Sequence, residues 1–336
     1  MRVRWEALDA RARGLATHLL SRGELERLAA LPDAPALAAA LRARGFPLAE
    51  ADSSPAALEL ALRREAAAWL RIIARWSAPR GDALSVLFEE EDRRSLRALL
   101  RGAVQGAPVT ARLSGLVPTP ALPESALRAL AALRSPAAIA TLLTAWGHPY
   151  GPPLQAPASA AQPDLFRLEL AIDHTFARRA IQAARRDRML AAYVGETIDV
   201  ENAVTALVLA GGKSDVVPRD AFLAGGARLG VGPFERAAAA ANVGDARRSL
   251  VRALAGSPLG AGLAGAGDDA TSLEEGILRT RIASLRRATR AGPLGPGPLL
   301  TFWLRARAEV IDLHRIIWGV ALAAPREALV RDLVSA

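Results

Sequence analysis

A Gly-x-Pro-apolar signal occurs three times along the 336-residue chain, at nearly equal intervals. The copies begin at Gly45, Gly147 and Gly256, which are 102 and 109 residues apart. An acidic residue follows each glycine by 47, 52 and 53 residues; these acids are Asp92, Asp199 and Glu309. Two landmarks that keep their spacing through three copies indicate internal repetition. We therefore predict repeat domains at residues 1–105, 106–212 and 213–336.

Within each copy, apolar residues recur at the spacing of helices, and no alternating strand pattern is found. The first long helix is predicted from Pro55, with Leu58, Leu62 and Trp69 on one face. A short helix is predicted to end at each signal glycine, because glycine adopts the left-handed position and the proline after it prevents the helix from resuming. The sequence thus predicts an all-α fold.

Polar residues also mark where helices begin. Ser21 and Glu24 form a predicted capping box, and Ser272 and Glu275 form another. By contrast, the Gly, Pro and Ala-rich segments 151–163 and 260–271 are predicted to be loops.

Each acid is expected at the start of a closing helix, our name for the apolar helix that follows the long one in each copy. The residues three positions after the acids lie on the same helix face. Two interpretations stay open: each acid interacts with the dipole of its own helix, or the acids face a common axis and a partner. The candidate partner-facing positions are Asp92, Ser95, Arg101, Asp199, Asn202, Glu309 and Asp312.

The sequence motifs that would indicate catalysis or ligand binding are weak, and we predict no catalytic, cofactor-binding or metal site. Gly212-Lys213-Ser214 lacks the first glycine of a P-loop, and the G-x-G-x-x-G match at 260–265 lacks a preceding strand. The four histidines are scattered, and the absence of cysteine excludes thiolate ligands and a cysteine nucleophile. The acidic run 89–92 is expected to be a solvated helix start.

Charge leaves the class of partner open. The formal net charge is +9, and Lys213 is the only lysine among 43 basic residues. A basic surface suits nucleic acid, an acidic protein or a membrane surface. Nucleic acid is not expected, because the arginines are neither gathered in one block nor interleaved with aromatic residues. The N-terminus has no signal-peptide pattern, and no apolar run is long enough to span a bilayer, so we expect a soluble protein.

The order of these elements resembles the family of C subunits, also called d subunits, of the rotary V-type ATPase/ATP synthase. The resemblance rests on the stretches 8–15 and 19–25, the three Gly-x-Pro signals, and the closing segments 92–101, 198–202 and 304–319. The family's closing helices follow an Asp-apolar-x-Asn pattern that ends in Arg. Ser95 and Asp312 replace Asn here, and Val208 and Trp318 replace Arg.

The resemblance implies three similar helical domains in a pseudo-three-fold arrangement that forms a funnel. It implies a non-catalytic rotor subunit that links the central shaft to the membrane proteolipid ring and transmits torque between ATP chemistry and proton or sodium transport. A cytoplasmic location, peripheral to the membrane, and contact with anionic lipid headgroups would follow. The alternatives are a helical-repeat interaction scaffold and a basic nucleic-acid-binding protein.

Overall fold

Helices are the only regular elements in the part of the chain that the structure describes, which confirms the all-α prediction. The computed structural model describes residues 5–49, 52–77, 83–212, 214–267, 269–292 and 295–335. Within these ranges, none of the helices combines the length and the apolar composition needed to cross a membrane.

The helices follow a repeated plan of two short helices, a long helix, a closing helix and one more short helix. The first copy has a further helix at its start, and copies two and three have an additional helix before the long one. In chain order the helices are α1 (Glu6–Ala16), α2 (Arg22–Leu28), α3 (Ala34–Ala43), α4 (Pro55–Ser77), α5 (Ser85–Val104), α6 (Val109–Leu113), α7 (Glu124–Ala132), α8 (Pro136–Ala145), α9 (Gly151–Ala158), α10 (Leu165–Ala184), α11 (Arg188–Leu209), α12 (Pro218–Ala221), α13 (Val231–Ala238), α14 (Val243–Ala253), α15 (Pro258–Gly265), α16 (Ala270–Ala291), α17 (Gly297–Ala321) and α18 (Arg326–Arg331).

The signal glycines end short helices, as predicted. Gly45, Gly147 and Gly256 all have positive φ angles, of 90°, 68° and 74°. After α3, the N–H of Phe46 donates to the carbonyl of Leu41 at 3.1 Å, which is the bond that closes a Schellman motif. These glycines therefore allow the chain to leave a helix at a position where a Cβ atom would be strained.

Two predictions about helix starts have different outcomes. The capping box at Ser21 and Glu24 is confirmed, with both reciprocal bonds formed. The predicted box at Ser272 is wrong, because α16 begins earlier with Asp269 as its N-cap. The Asp269 carboxylate accepts the Ser272 N–H at 2.8 Å, so the serine lies inside the first turn.

The predicted loops at 151–163 and 260–271 are wrong for most of their length, because α9 occupies most of the first, and α15 and the start of α16 occupy most of the second. Their glycines allow close packing between helices. A Cβ atom at Gly262 would lie 3.0 Å from the Cα of Ile277 in α16, and one at Gly151 would lie 2.4 Å from the backbone N of Thr144 in α8. Glycine in these segments thus reflects packing rather than flexibility.

The chain divides into two compact units. The first unit contains residues 1–66, 206–215 and 229–336, and the second contains 67–205 and 216–228. These units are defined by contacts within the fold and not by sequence repeats. The three repeat domains, with boundaries at 105/106 and 212/213, stay a prediction.

In each unit a closing helix packs on the same kinds of elements. In the second unit α5 packs on α6, which follows it, and on α7 and α8, the two short helices of the next copy. In the first unit α17 packs on α18, which follows it, and on α2 and α3, the two short helices of the first copy. Leu313, Ile316 and Ile317 of α17 are buried in that core together with Leu25 and Leu41. The last copy thus packs on the first as the first packs on the second.

Candidate functional site

The three acids lie in the middle of the closing helices, so the predicted helix starts are wrong. Helix α5 begins seven residues before Asp92, α11 begins eleven before Asp199, and α17 begins twelve before Glu309. All three side chains are buried. The dipole interpretation therefore does not apply, since that interaction is confined to the first turn of a helix.

In the second copy the acid and its companion bind the chain that leads into the third copy. The side-chain amide of Asn202 forms two hydrogen bonds with Leu223, donating to its carbonyl at 2.9 Å and accepting its N–H at 2.8 Å. The carboxylate of Asp199 accepts the N–H groups of Ala227 at 3.1 Å and Arg228 at 2.8 Å. Residues 222–228, which we call a junction segment, are thereby attached to α11.

The junction segment of the first copy, residues 116–122, contacts α5 in a similar way. The hydroxyl of Thr119 donates to the carboxylate of Asp92 and accepts the N–H of Leu122 at 2.9 Å. Ser95 is buried one turn further along α5. The acid therefore fixes the loop that enters α7.

In the third copy the corresponding place is filled by two separate segments. The carboxylate of Asp312 accepts the N–H groups of Val334 at 2.6 Å and Ser335 at 2.7 Å. The carboxylate of Glu309 accepts the N–H of Leu20, which precedes α2. A cavity of about 180 Å³ lies beside Glu309 and is lined by residues of both segments, Leu20 and Ser335 among them. We call residues 19–20 and 333–335 the split junction.

Burial is the largest influence on the pKa values of Asp92, Glu309 and Asp312. It raises the pKa of Asp92 to about 7, although the Thr119 hydroxyl lowers it. Burial also raises the pKa of Glu309 to about 7, against the lowering effect of the Leu20 N–H. The pKa of Asp312 is raised from its ordinary value by the same cause, opposed by its two backbone donors. Asp92 and Glu309 therefore exchange protons near neutral pH.

Arg101, the remaining candidate, is not brought together with the acids. Its guanidinium donates to Glu169 of α10 at 2.8 Å, and more than half of its side chain is exposed. The structure thus places six of the seven candidates inside the fold and one at the surface. Their role towards a partner stays a prediction.

A buried ionic network in the second unit was not predicted from the sequence. Arg93 Nη2 lies 2.6 Å from Glu201 Oε1, Arg97 Nη2 lies 2.9 Å from Glu201 Oε2, and both arginines also bond Asp173. The Arg93 guanidinium lies 4.4 Å from the ring centre of Phe176. Although burial opposes ionisation, Arg93 and Arg97 hold the pKa of Glu201 well below its usual range. The network joins α5, α10 and α11.

The acidic run 89–92, expected to be solvated, is instead buried. Arg179 donates to Glu89 at 2.8 Å, and the Tyr193 hydroxyl donates to Glu90 at 2.7 Å. The expectation was wrong because α5 begins before the run, which places these carboxylates opposite α10 and α11 and not in a solvated first turn.

Metal-binding and phosphate-binding sites are the remaining kinds of site to consider. No group of three His, Asp or Glu side chains in the described ranges is arranged to hold a metal ion. Lys213 lies outside the described residues, and Gly211 and Gly212 follow helix α11 with positive φ angles. The strand–loop–helix context of a phosphate-binding loop is therefore missing at that position.

Comparison with known proteins gives one finding that identifies a family. No curated protein matches the chain. A family model described as ATP synthase (C/AC39) subunit matches residues 8–331, which is nearly the whole chain and includes all three closing helices. This match agrees with the resemblance found in the sequence, and the chain belongs to the ATP synthase (C/AC39) subunit family.

Proposed function

We propose that this chain is the non-catalytic coupling subunit of a rotary ATPase/ATP synthase rotor, joining the central shaft to the membrane proteolipid ring. It transmits torque between ATP chemistry and proton or sodium transport, from a cytoplasmic position peripheral to the membrane. Membership of the ATP synthase (C/AC39) subunit family supports this role. The observation that carries it is the attachment of junction segments to the closing helices through buried acids.

A subunit that transmits torque needs rigid attachments between its helices and loops. We call each attachment of a junction segment to a closing helix a joint. In both units the joints are hydrogen bonds between buried side chains of a closing helix and backbone or hydroxyl groups, and leaving one of these buried groups without its partner would be costly. The network of Arg93, Arg97, Asp173 and Glu201 adds charged contacts among three helices of the second unit. Removing one member of such a network is costly, which supports a stiff element.

We also propose that the three predicted repeat domains are arranged around a pseudo-three-fold axis and form a funnel. The support is the equivalent packing of α5 and α17, each on the short helix after it and on the first two short helices of another copy. Six of the candidate positions act within the chain in this proposal, and Arg101 is the one exposed enough to meet a partner.

Co-purification tests the proposed assembly. The full chain, isolated from its own cells at moderate salt, should bring with it shaft and proteolipid subunits. Recovery of nucleic acid, with binding that collapses steeply as salt rises, would contradict the proposal and support a nucleic-acid-binding protein. Recovery of unrelated proteins alone would support an interaction scaffold.

A coupling measurement tests the role itself. In the assembled complex, Asn202→Ala removes both bonds to Leu223, so ATP hydrolysis should persist while ion transport per ATP falls. Asp245→Asn changes an exposed carboxylate on α14 and serves as the control. Full coupling in a stably folded Asn202→Ala complex would show that this joint does not bear torque.

A further inference from the structure

The turn between α10 and α11 lies at a defined end of the second unit. Helices α5 and α10 are antiparallel, since Arg179 near the end of α10 bonds Glu89 near the start of α5, while Glu169 near the start of α10 bonds Arg101 near the end of α5. The turn at 185–187 therefore lies beside the first turns of α5.

Opposite charges are separated at this end. The carboxylates of Glu89, Glu90 and Glu91 are buried, where they bond arginine and tyrosine side chains. Arginines instead occupy the surface of the turn and of the ends of α10 and α11 beside it. The side chains of Arg178, Arg185, Arg186 and Arg188 are exposed, and in the part of the chain that the structure describes these side chains have neither an ion pair nor a hydrogen-bond partner.

Stability of the helices does not account for all of these arginines. Arg185 and Arg186 follow the C-terminus of α10, where a positive charge is favourable. Arg188 is the first residue of α11, where the helix dipole disfavours a positive charge. Asp187, between them, uses its carboxylate to accept the N–H groups of Met189 and Leu190. An unpaired arginine in an unfavourable position is better explained by an anion outside the chain.

A similar arrangement occurs in the first unit at the end of the long helix of the third copy. Arg286, Arg287 and Arg290 of α16 are exposed, and they too have no ion pair among the described residues. The long helix thus ends in unpaired arginines in two copies. Recurrence at the same place in the repeat plan indicates a shared kind of contact.

We propose that the arginines of the α10–α11 turn bind anionic phospholipid headgroups, an inference that rests on the membrane-peripheral position in the proposed function. Guanidinium groups bind phosphate oxygens through two parallel hydrogen bonds. Ile181 of α10, which is 40% exposed, comes three residues after Arg178 and four before Arg185, the C-cap of that helix. An apolar side chain among arginines suits the boundary between headgroups and acyl chains better than a nucleic-acid backbone.

Vesicle sedimentation of the purified full chain tests this assignment. The probes are vesicles of phosphatidylcholine alone and vesicles that contain phosphatidylglycerol as well. We expect binding only to the anionic vesicles, weakened by rising salt. An arginine near a membrane surface contributes about fivefold in affinity, so the triple variant Arg185→Gln, Arg186→Gln, Arg188→Gln should lose on the order of a hundredfold.

A matched control separates the turn from net charge. The triple variant Arg27→Gln, Arg134→Gln, Arg236→Gln removes the same charge from exposed positions elsewhere and should bind almost as the unchanged chain does. Equal losses in the two variants, or equal binding to neutral vesicles, would overturn the proposal. Both variants are first checked for an unchanged thermal transition, so that misfolding is not read as lost binding.

The headgroup contact and the coupling function can fail independently, and the two experiments distinguish these failures. If the turn variant loses vesicle binding yet still co-purifies with shaft and proteolipid subunits, the headgroup contact is supported and the assembly stands. If vesicles bind but those subunits do not co-purify, the coupling function fails while the headgroup contact survives. Binding to an oligonucleotide without binding to anionic vesicles would overturn the headgroup contact.

Discussion

At the scale of single residues, the closing-helix acids show that the spacing of repeated landmarks identifies residues but not their bonding partners. The repeat spacing identified Asp92, Asp199 and Glu309, because duplicated sequence keeps the distances between its landmarks. Their partners were not predictable. Each acid bonds backbone or hydroxyl groups of a loop, and the identity of a loop residue says little about a bond made by its N–H group.

Gly226 tests the joint at Asp199. A Cβ atom at this position would lie 2.1 Å from Asp199 Oδ1, so Gly226→Ala must displace the carboxylate or the junction segment. We expect a loss of about 1–3 kcal/mol in the free energy of unfolding, measured by urea denaturation. Gly14→Ala in α1 meets no atom within 4 Å and should leave stability unchanged or raise it slightly. Equal stability of the two variants would show that the segment adjusts freely.

Glu309 makes stability depend on pH. Its pKa rises from 4.5 to about 7 on folding, mainly through burial, so the folded chain binds the proton more tightly than the unfolded chain. The stabilisation is therefore complete below pH 4.5 and is lost as pH rises through 7, with an amplitude of up to about 3 kcal/mol. Glu309→Gln, which keeps an acceptor for Leu20, should flatten this part of the profile.

Chemical denaturation at several pH values measures that profile. Asp92, whose pKa burial also raises to about 7, contributes a slope of the same sign that should persist in Glu309→Gln. Glu327→Gln changes an exposed carboxylate on α18 and should leave the profile as it is. A Glu309→Gln profile identical to that of the unchanged chain would mean that Glu309 is not buried as a protonated group.

At the scale of elements, helix ends were predictable and close helix packing was not. Capping at Ser21 and termination at Gly45 depend on local backbone geometry, which a few adjacent residues determine. The Gly-rich helix α15 was mistaken for a loop because Gly262 serves a close contact with Ile277 and Thr280 of α16, and a local pattern does not show a neighbouring helix. The buried ionic network escaped prediction for the same reason, since Arg93 and Glu201 are 108 residues apart.

The ionic network should be among the most sensitive contacts between helices. Glu201→Gln neutralises one of the two carboxylates that bond both Arg93, which is almost fully buried, and Arg97. We expect a loss of about 3–5 kcal/mol in the free energy of unfolding. Glu124→Gln removes an exposed pair with Arg128 and should cost less than about 1 kcal/mol. Similar losses for both variants would argue that water reaches the network.

At the scale of the whole chain, the contacts of the last copy return to the first. Helix α17 bonds residue 20 and residues 334–335 where α11 bonds the continuous segment 222–228. The sequence predicted three repeats but gave no sign of this split, because nothing in a repeat pattern says which segments occupy a shared position. How the repeats are arranged around an axis stays a prediction.

Removal of residues 333–336 tests the split junction. Asp312 would lose the N–H donors of Val334 and Ser335, and the buried side chain of Leu333 would be lost with them. We expect a stability loss of about 2–5 kcal/mol, together with faster amide exchange in residues 19–22, which share the cavity beside Glu309. Unchanged amide exchange in residues 19–22 despite the deletion would show that the two segments are independent.

The split junction has a consequence for the history of the fold. In the first two copies, the segment bound by a closing helix leads into the copy that follows, so a single copy cut out on its own would present polar groups on its closing helix with nothing to bind. Such a copy could satisfy them by taking up the leading segment of an identical neighbour, as domain-swapped chains do. Under the proposed three-fold arrangement, three separate chains joined head to tail would be a natural ancestor, and in the single polypeptide the last joint is completed by two segments that are distant in sequence.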